Sequence, residues 1–231
     1  MARLDARYRF DMADSFLSFY TKHGLILKSY EIGMPTARIN TVVVPGRDGE
    51  LDLTHALEEV TRYDNRKITL TFAIINNTFG EWKALYNTLA EAMHGKYTEI
   101  AISVDYDYYY AGIATINPYK SNGKIGTIVI ELDAQPFAWT EVSQFINKTV
   151  SGTDLTFNFS NLYTSPHQRI KICNIVTSDI TDYVSIKING CDYRTYTTAE
   201  ARRVDKIINL DDTITMSGNG FAKFIIKGGV I

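Results

Sequence analysis

Strict alternation of apolar and polar residues is the strongest constraint on this chain. In KITLTFAII (residues 67–75), Ile68, Leu70, Phe72 and Ile74 fall on one side. In GTIVIELD (126–133), Ile128, Ile130 and Leu132 do the same. A period of two with β-branched residues predicts strands with one buried face. Asn122-Gly123, within Ser121–Lys124, suits a tight hairpin turn, so 108–117 is expected to pair with 125–133.

One segment breaks the pattern. TFGEWKALYNTLAEAMHG places Trp82, Leu85, Tyr86, Leu89 and Met93 on a helical stripe, predicting a helix over about 79–94. Thr78 and Glu81 have the spacing of a capping box, in which the threonine oxygen accepts an early backbone N–H and the glutamate reaches back. Gly95 supplies the stop. With no second long helix to meet it, the stripe is expected to pack on a sheet.

The pattern pauses at Ala134-Gln135-Pro136 and resumes with strands alone. Leu155, Phe157 and Phe159 alternate, as do Ile170 and Ile172, then Val184, Ile186 and Ile188. Asn189-Gly190 reads as a further hairpin turn, and Asp211-Asp212 separates two more apolar runs. Many short strands at this spacing suggest a β-sandwich. The expected fold class is therefore mainly β with one α-helix. It has two domains: an α+β N-terminal domain, 1–136, and a C-terminal β-sandwich, 137–231.

Charge and cysteine content narrow the function. Residues 1–136 carry 14 Lys+Arg and 17 Asp+Glu, a balance of −3; the remainder carries 10 and 9, a balance of +1. Neither half has the basic excess that nucleic-acid binding needs. The start of the chain is charged throughout and lacks the apolar core of a signal peptide, and no run is long enough to span a membrane. Cys173 and Cys191 are too few for a disulfide framework, which suits a cytoplasmic protein with free thiols. The sequons at Asn76, Asn147 and Asn158 then read as chance.

Chemical motifs are sparse. His23, His55, His94 and His167 form no zinc pattern with the two cysteines. Asp48, Glu50, Asp52 and Glu59 have the spacing of a calcium loop, but Leu53 stands where its sharp turn requires glycine. Phosphate-loop, nucleophile-elbow and dinucleotide fingerprints are missing. Asp105, Asp107, Glu131 and Asp133 are the acids from which a glycosidase pair could be drawn, yet all suit solvent-facing strand positions. No catalytic, metal or cofactor site is expected, and the chain reads as a non-enzyme. Tyr106, Tyr108 and Tyr110 are candidate interface aromatics, since tyrosine buries a ring while its hydroxyl stays wet. A binding reading is a carbohydrate-binding module contacting cell-wall saccharide, with Tyr163, Tyr193, Tyr196 and His167 as its only platform candidates.

The order of landmarks resembles the distal tail protein (Dit) family of long-tailed, siphovirus-type bacteriophages and prophages. Six stretches carry the resemblance: Val44–Gly49 with Leu51–Thr54; Asn65-Arg66-Lys67-Ile68; the helix with Trp82; His94-Gly95-Lys96; Asp107–Gly112; and Asp133–Ala138. It covers residues 1–138 well and is looser beyond. The resemblance implies a virion protein of the tail tip or baseplate. Its N-terminal domains would form a hexameric ring, each sending a projecting hairpin to its neighbour. Its C-terminal domains would be galectin-like sandwiches on the outside. The implied partners are the tail-tube protein, the tail-associated lysin or tip protein, and receptor-binding components of host attachment, with assembly in the host cytoplasm. On this reading Arg38, Ile39, Val42, Val44, Arg47, Asp48, Gly49 and Asp52 are the candidate arm and turn at the subunit interface. Pro45 ends the arm strand, and Asp48 bonds its own backbone in the turn.

Overall fold

The computed structural model describes residues 4–11, 14–54, 61–75, 78–105, 107–118, 120–121, 125–162 and 169–231. Two compact units follow one another, Met1–Ala138 and Trp139–Ile231.

The first unit contains β1 (Ala6–Arg9), β2 (Leu17–Ser18), α1 (Phe19–His23), β3 (Ile26–Ile32), β4 (Thr41–Val43), β5 (Glu50–Asp52), β6 (Arg66–Ile75), α2 (Phe79–Met93), β7 (Lys96–Ile102), β8 (Tyr108–Ile116), β9 (Lys120–Ser121) and β10 (Ile125–Ala134). β11 (Ala138–Thr140) straddles the division. The main sheet is antiparallel, in the order β3–β6–β10–β8–β7–β1–β2. The alternating residues do what their period requires. Ile68, Leu70, Phe72 and Ile74 of β6 are buried, as are Ile128, Ile130 and Leu132 of β10. β8 pairs with β10 as expected, Ile116 opposite Ile130; Asn122 and Gly123 lie outside the described residues.

Helix α2 starts at Thr78, whose side chain accepts from Glu81 N while Glu81 bonds back. Trp82, Leu89 and Met93 are buried, and Leu85 and Tyr86 half-buried. Each fully buried side chain of this size contributes about 1.5–3 kcal/mol. The indole of Trp82 lies against the backbone of Gly126 in β10, where a Cβ would fall 1.7 Å from Nε1. That strand position must therefore be glycine, and it fixes how the helix seats.

A second helix, not expected from the sequence, is short. In α1, Ser18 caps the N-terminus by accepting from Tyr20 N and Thr21 N, and Gly24 (φ 67°) ends it. Its Phe19 ring lies 4.5 Å from Tyr8 in β1 and 4.7 Å from Phe72 in β6. Those strands are four steps apart in the sheet, so the sheet curls around Phe19. The Tyr8 hydroxyl and His23 Nε2 are 2.7 Å apart, and burial holds the His23 imidazole below its ordinary pKa, with Lys22 adding to the effect.

The second unit contains β12 (Gln144–Ser151), β13 (Leu155–Phe157), β14 (Arg169–Ser178), β15 (Val184–Ile188), β16 (Cys191–Tyr196), β17 (Ala201–Asn209) and β18 (Ile214–Val230). Strand β18 serves two sheets. Its first part lies between β13 and β15, with β16 beyond; its later part lies between β12 and β14, with β17 beyond. It turns from one to the other around Gly218 (φ 104°), where a Cβ would lie 2.0 Å from Tyr183 O. Between the sheets lies one core that includes Phe159, Ile170, Ile172, Val184, Ile186, Met216 and Phe224. The Asn189-Gly190 turn forms as expected, both residues at positive φ, joining Ile188 to Cys191.

Candidate functional site

Between β3 and β6 the chain leaves the sheet and returns. β4 and β5 form a separate two-stranded ribbon, Val42 opposite Leu51 and Thr41 opposite Asp52. Lower down, Leu53 N donates to Asn40 O at 2.7 Å and Asn40 N to the Thr54 hydroxyl at 3.0 Å. At the base, Ala37 bridges Tyr63 and the exposed Arg38 Nε sits 2.5 Å from Asp64 Oδ1. Backbone bonds Arg38 N to Arg62 O and Asp64 N to Thr36 O complete it.

The ribbon has little to bury. Val43 is 73% exposed and Ile39 67%, and Met34, Val42 and Leu53 are also exposed. An isolated two-stranded hairpin is marginal in water, and concentrated exposed apolar side chains mark an interaction surface. The turn uses Gly46 (φ 82°) and Gly49 (φ 78°), with Arg47 N donating to Val44 O. Here the structure corrects one expectation. The carboxylate that accepts from the local backbone is Asp52, from Thr54 N at 2.8 Å. Among the described residues Asp48 has no such bond; it and Arg47 are exposed at the tip.

All eight predicted arm and turn residues thus lie on one projection: Arg38, Ile39, Val42, Val44, Arg47, Asp48, Gly49 and Asp52. The candidate arm set left out Val43 and Leu53, whose apolar side chains share the ribbon's exposure, and Met34, which is exposed ahead of its base. The Val42-Val43-Val44 run was the available signal, since a strand with one buried face would alternate.

The candidate aromatics do not gather there. Tyr106 lies outside the described residues and Tyr108 is half-buried. Tyr110 is only 5% exposed, its ring 5.6 Å from the Arg66 guanidinium, so it packs inside the unit instead of offering an interface. Burial pushes its phenol up, and Arg66 partly offsets this. Arg66 in turn donates to Pro136 O. Around that contact, Asn65 Nδ2 donates to Asp133 at 3.2 Å and Lys67 pairs with Glu131 at 2.8 Å. Tyr63 and Phe137 meet edge to face at 6.2 Å. Two separate landmarks of the sequence, Asn65–Ile68 and Asp133–Ala138, therefore meet on neighbouring strands.

The acids considered for catalysis sort by environment. Hydrogen bonds from Lys67 and Asn117 hold Glu131 below the usual carboxylate range. Asp105 departs from the expected solvent-facing strand position, lying outside any strand and partly buried. Burial raises it, and neighbouring Asp107 adds to the rise. Among the described residues no three histidine, cysteine, aspartate or glutamate side chains gather as metal ligands. No helix among them is long and apolar enough to cross a membrane. Of the saccharide-platform candidates, Tyr196 is buried in the second unit's core and Tyr193 half-buried, while Tyr163 and His167 lie outside the described residues.

No family model and no curated protein sequence matches the chain. Solved structures do. The chain is similar to the SPP1 Dit protein, described as a paradigm of the hub of the adsorption apparatus in phages infecting Gram-positive bacteria. The TM-score is 0.59 at 7% identity, over 97% of this chain and 98% of that one. It is also similar to a chain of the phage p2 baseplate in its activated conformation. With strontium the TM-score is 0.50 at 7% identity, over 100% and 99% of the two chains. With calcium it is 0.50 at 8% identity, over 97% of each. At such identity the likeness is one of backbone path, so the chain has the fold of the phage distal tail (Dit) protein.

Proposed function

We propose that this chain is a structural hub protein of a phage tail tip. Six copies close into a ring that joins the tail tube to the tail-associated lysin or tip protein and to the adsorption apparatus. Its role is assembly and not catalysis. The observation that carries the reading is the apolar ribbon projecting from the first unit. A contact between one surface and a different surface of the next copy closes into a ring when the rotation allows it. A ribbon whose main-chain edges meet no strand among the described residues, and which exposes Ile39, Val42 and Val43, gains what it lacks by lying against a neighbour. The end-to-end likeness to SPP1 Dit and the p2 baseplate chain supports the same role.

Native mass spectrometry with negative-stain microscopy tests it. The expected result is a particle of six chain masses, seen as a ring. A monomer that persists at high concentration, with no ring on the grid, would overturn the reading.

A further inference from the structure

The second unit has edges guarded to different degrees. Among the described residues β17 pairs with β14 alone. It bulges against Ile172/Asn174, holds Asp205 at φ 50°, and carries Arg202, Arg203 and Lys206. β16 has a register shift against β15 and carries Asp192 and Arg194. Both follow the usual devices that keep sheet edges from recruiting strands.

β12 does not. It pairs with β18 from Gln144 opposite Ile226 to Ser151 opposite Asn219, with no break in register. Its sequence, QFINKTVS, has no proline. Among the described residues its other edge meets no strand. Phe145, on the outer face, is 58% exposed. The one safeguard is Lys148. Ile146 and Val150, its neighbours at period two, belong to the core side. Lys148 points the same way, its Nζ 4.7 Å from the centre of the Phe157 ring. On the opposite face Lys223 of β18 sits 4.3 Å from the Phe145 ring. The paired stretches 144–151 and 219–226 contain these two lysines and no acid.

An ordinary strand laid along this edge would shut Lys148 away from water without a partner charge, which disfavours it. A strand with an acid in register would convert that cost into an ion pair while gaining the main-chain hydrogen bonds of an added strand. We propose that the free edge of β12 is a docking site for an extended, acidic segment of another protein, with Lys148 selecting for the acid. This goes beyond the hub reading and does not depend on ring formation.

Two short peptides of alternating threonine and valine test it, one with a central glutamate and one with a central lysine. The readouts are affinity by fluorescence anisotropy and amide hydrogen exchange on the full chain. The glutamate peptide is expected to bind about tenfold more tightly than its lysine counterpart, the equivalent of roughly 1.4 kcal/mol, and to slow exchange at 144–151. Lys148→Glu should reverse the preference. Lys148→Gln, which keeps much of the aliphatic stem, should abolish it with the fold intact. Equal affinities for the wild-type chain, protection elsewhere than β12, or an unchanged preference in both variants would overturn the proposal. So would slowing at 144–151 that grows with protein concentration in the absence of peptide, since the occupant would then be a second copy.

Discussion

The ribbon β4–β5 and the hairpin β15–β16 are built from the same local parts and end differently. Each is a short antiparallel pair turned on glycine at positive φ, Gly49 in one and Gly190 in the other. In β15–β16 one face is filled by Val184, Ile186 and Tyr196, all buried, and the other edge of β15 is taken by β18. Its tip is tied down as well: Asn189 donates to Asp212 at 3.0 Å and accepts from Thr213 N at 2.8 Å. Among the described residues the ribbon has neither a buried face nor an occupied edge. Turn chemistry makes a hairpin; burial decides whether it becomes part of a core or stays an arm. Destabilising the first should unfold a domain, whereas changing the second should be felt only where copies meet.

The largest effect should come from Ile186→Ala. A buried isoleucine truncated in a close-packed core costs about 2–5 kcal/mol. Chemical denaturation should show the second unit's midpoint falling accordingly. The matched change in the ribbon, Val43→Asp, should leave the stability of the first unit, which carries it, within about 0.5 kcal/mol of wild type, as for exposed sites generally. It should instead shift the population from rings to monomers in analytical ultracentrifugation. A comparable loss of stability from both changes would erase the distinction.

The two turns sharpen the contrast. Among the described residues no heavy atom stands within 4 Å of a Cβ at either Gly190 or Gly49, so the cost of valine there is backbone strain. Holding a β-branched residue at such a φ costs of order 1–3 kcal/mol. Gly190→Val should lower the melting temperature of the second unit. Gly49→Val should leave the melting temperature unchanged and weaken ring assembly, because the tip has no core to transmit the strain. Intact rings from Gly49→Val would show the ribbon's turn to be irrelevant to assembly.

The same distinction explains how much could be read from the sequence. Burial on one face leaves a period, so β6, β10, β15 and the stripe of α2 were legible, as were the Thr78–Glu81 box and the Asn189-Gly190 turn. The arm residues were placed together through family resemblance, since an exposed ribbon leaves no period of its own. Tyr110 was misassigned because β8 is buried on both faces there: Tyr109 is buried as well as Tyr110, which removes the alternation. Helix α1 is too short for a stripe, although Ser18 and Gly24 bracket it with ordinary caps. Ser217-Gly218-Asn219-Gly220 has the composition of a turn yet lies inside the continuous β18, its glycines set by contact with Tyr183 and Val184. Contacts between residues distant in sequence leave no local trace.

The smallest effect should come from Arg38→Ala at the base of the ribbon. Its ion pair with Asp64 has good geometry, but both side chains are more than half exposed, and water screens such pairs to at most about 1 kcal/mol. The backbone bonds of Arg38 N to Arg62 O and Asp64 N to Thr36 O survive the substitution, so the ribbon should still form. The thermal midpoint should move by no more than about a degree or two, in line with the small free energy. Salt supplies the finer measurement. Any loss in ring stability on Arg38→Ala should shrink as ionic strength rises toward 1 M, where charges separated by more than about 3 Å are screened. For Val43→Asp the apolar part of the loss should persist at high salt. If Arg38→Ala instead abolished rings at every salt concentration, the base of the ribbon and not its apolar tip would be what holds the copies together, and the contrast between arm and core hairpin would have to be redrawn around that ion pair.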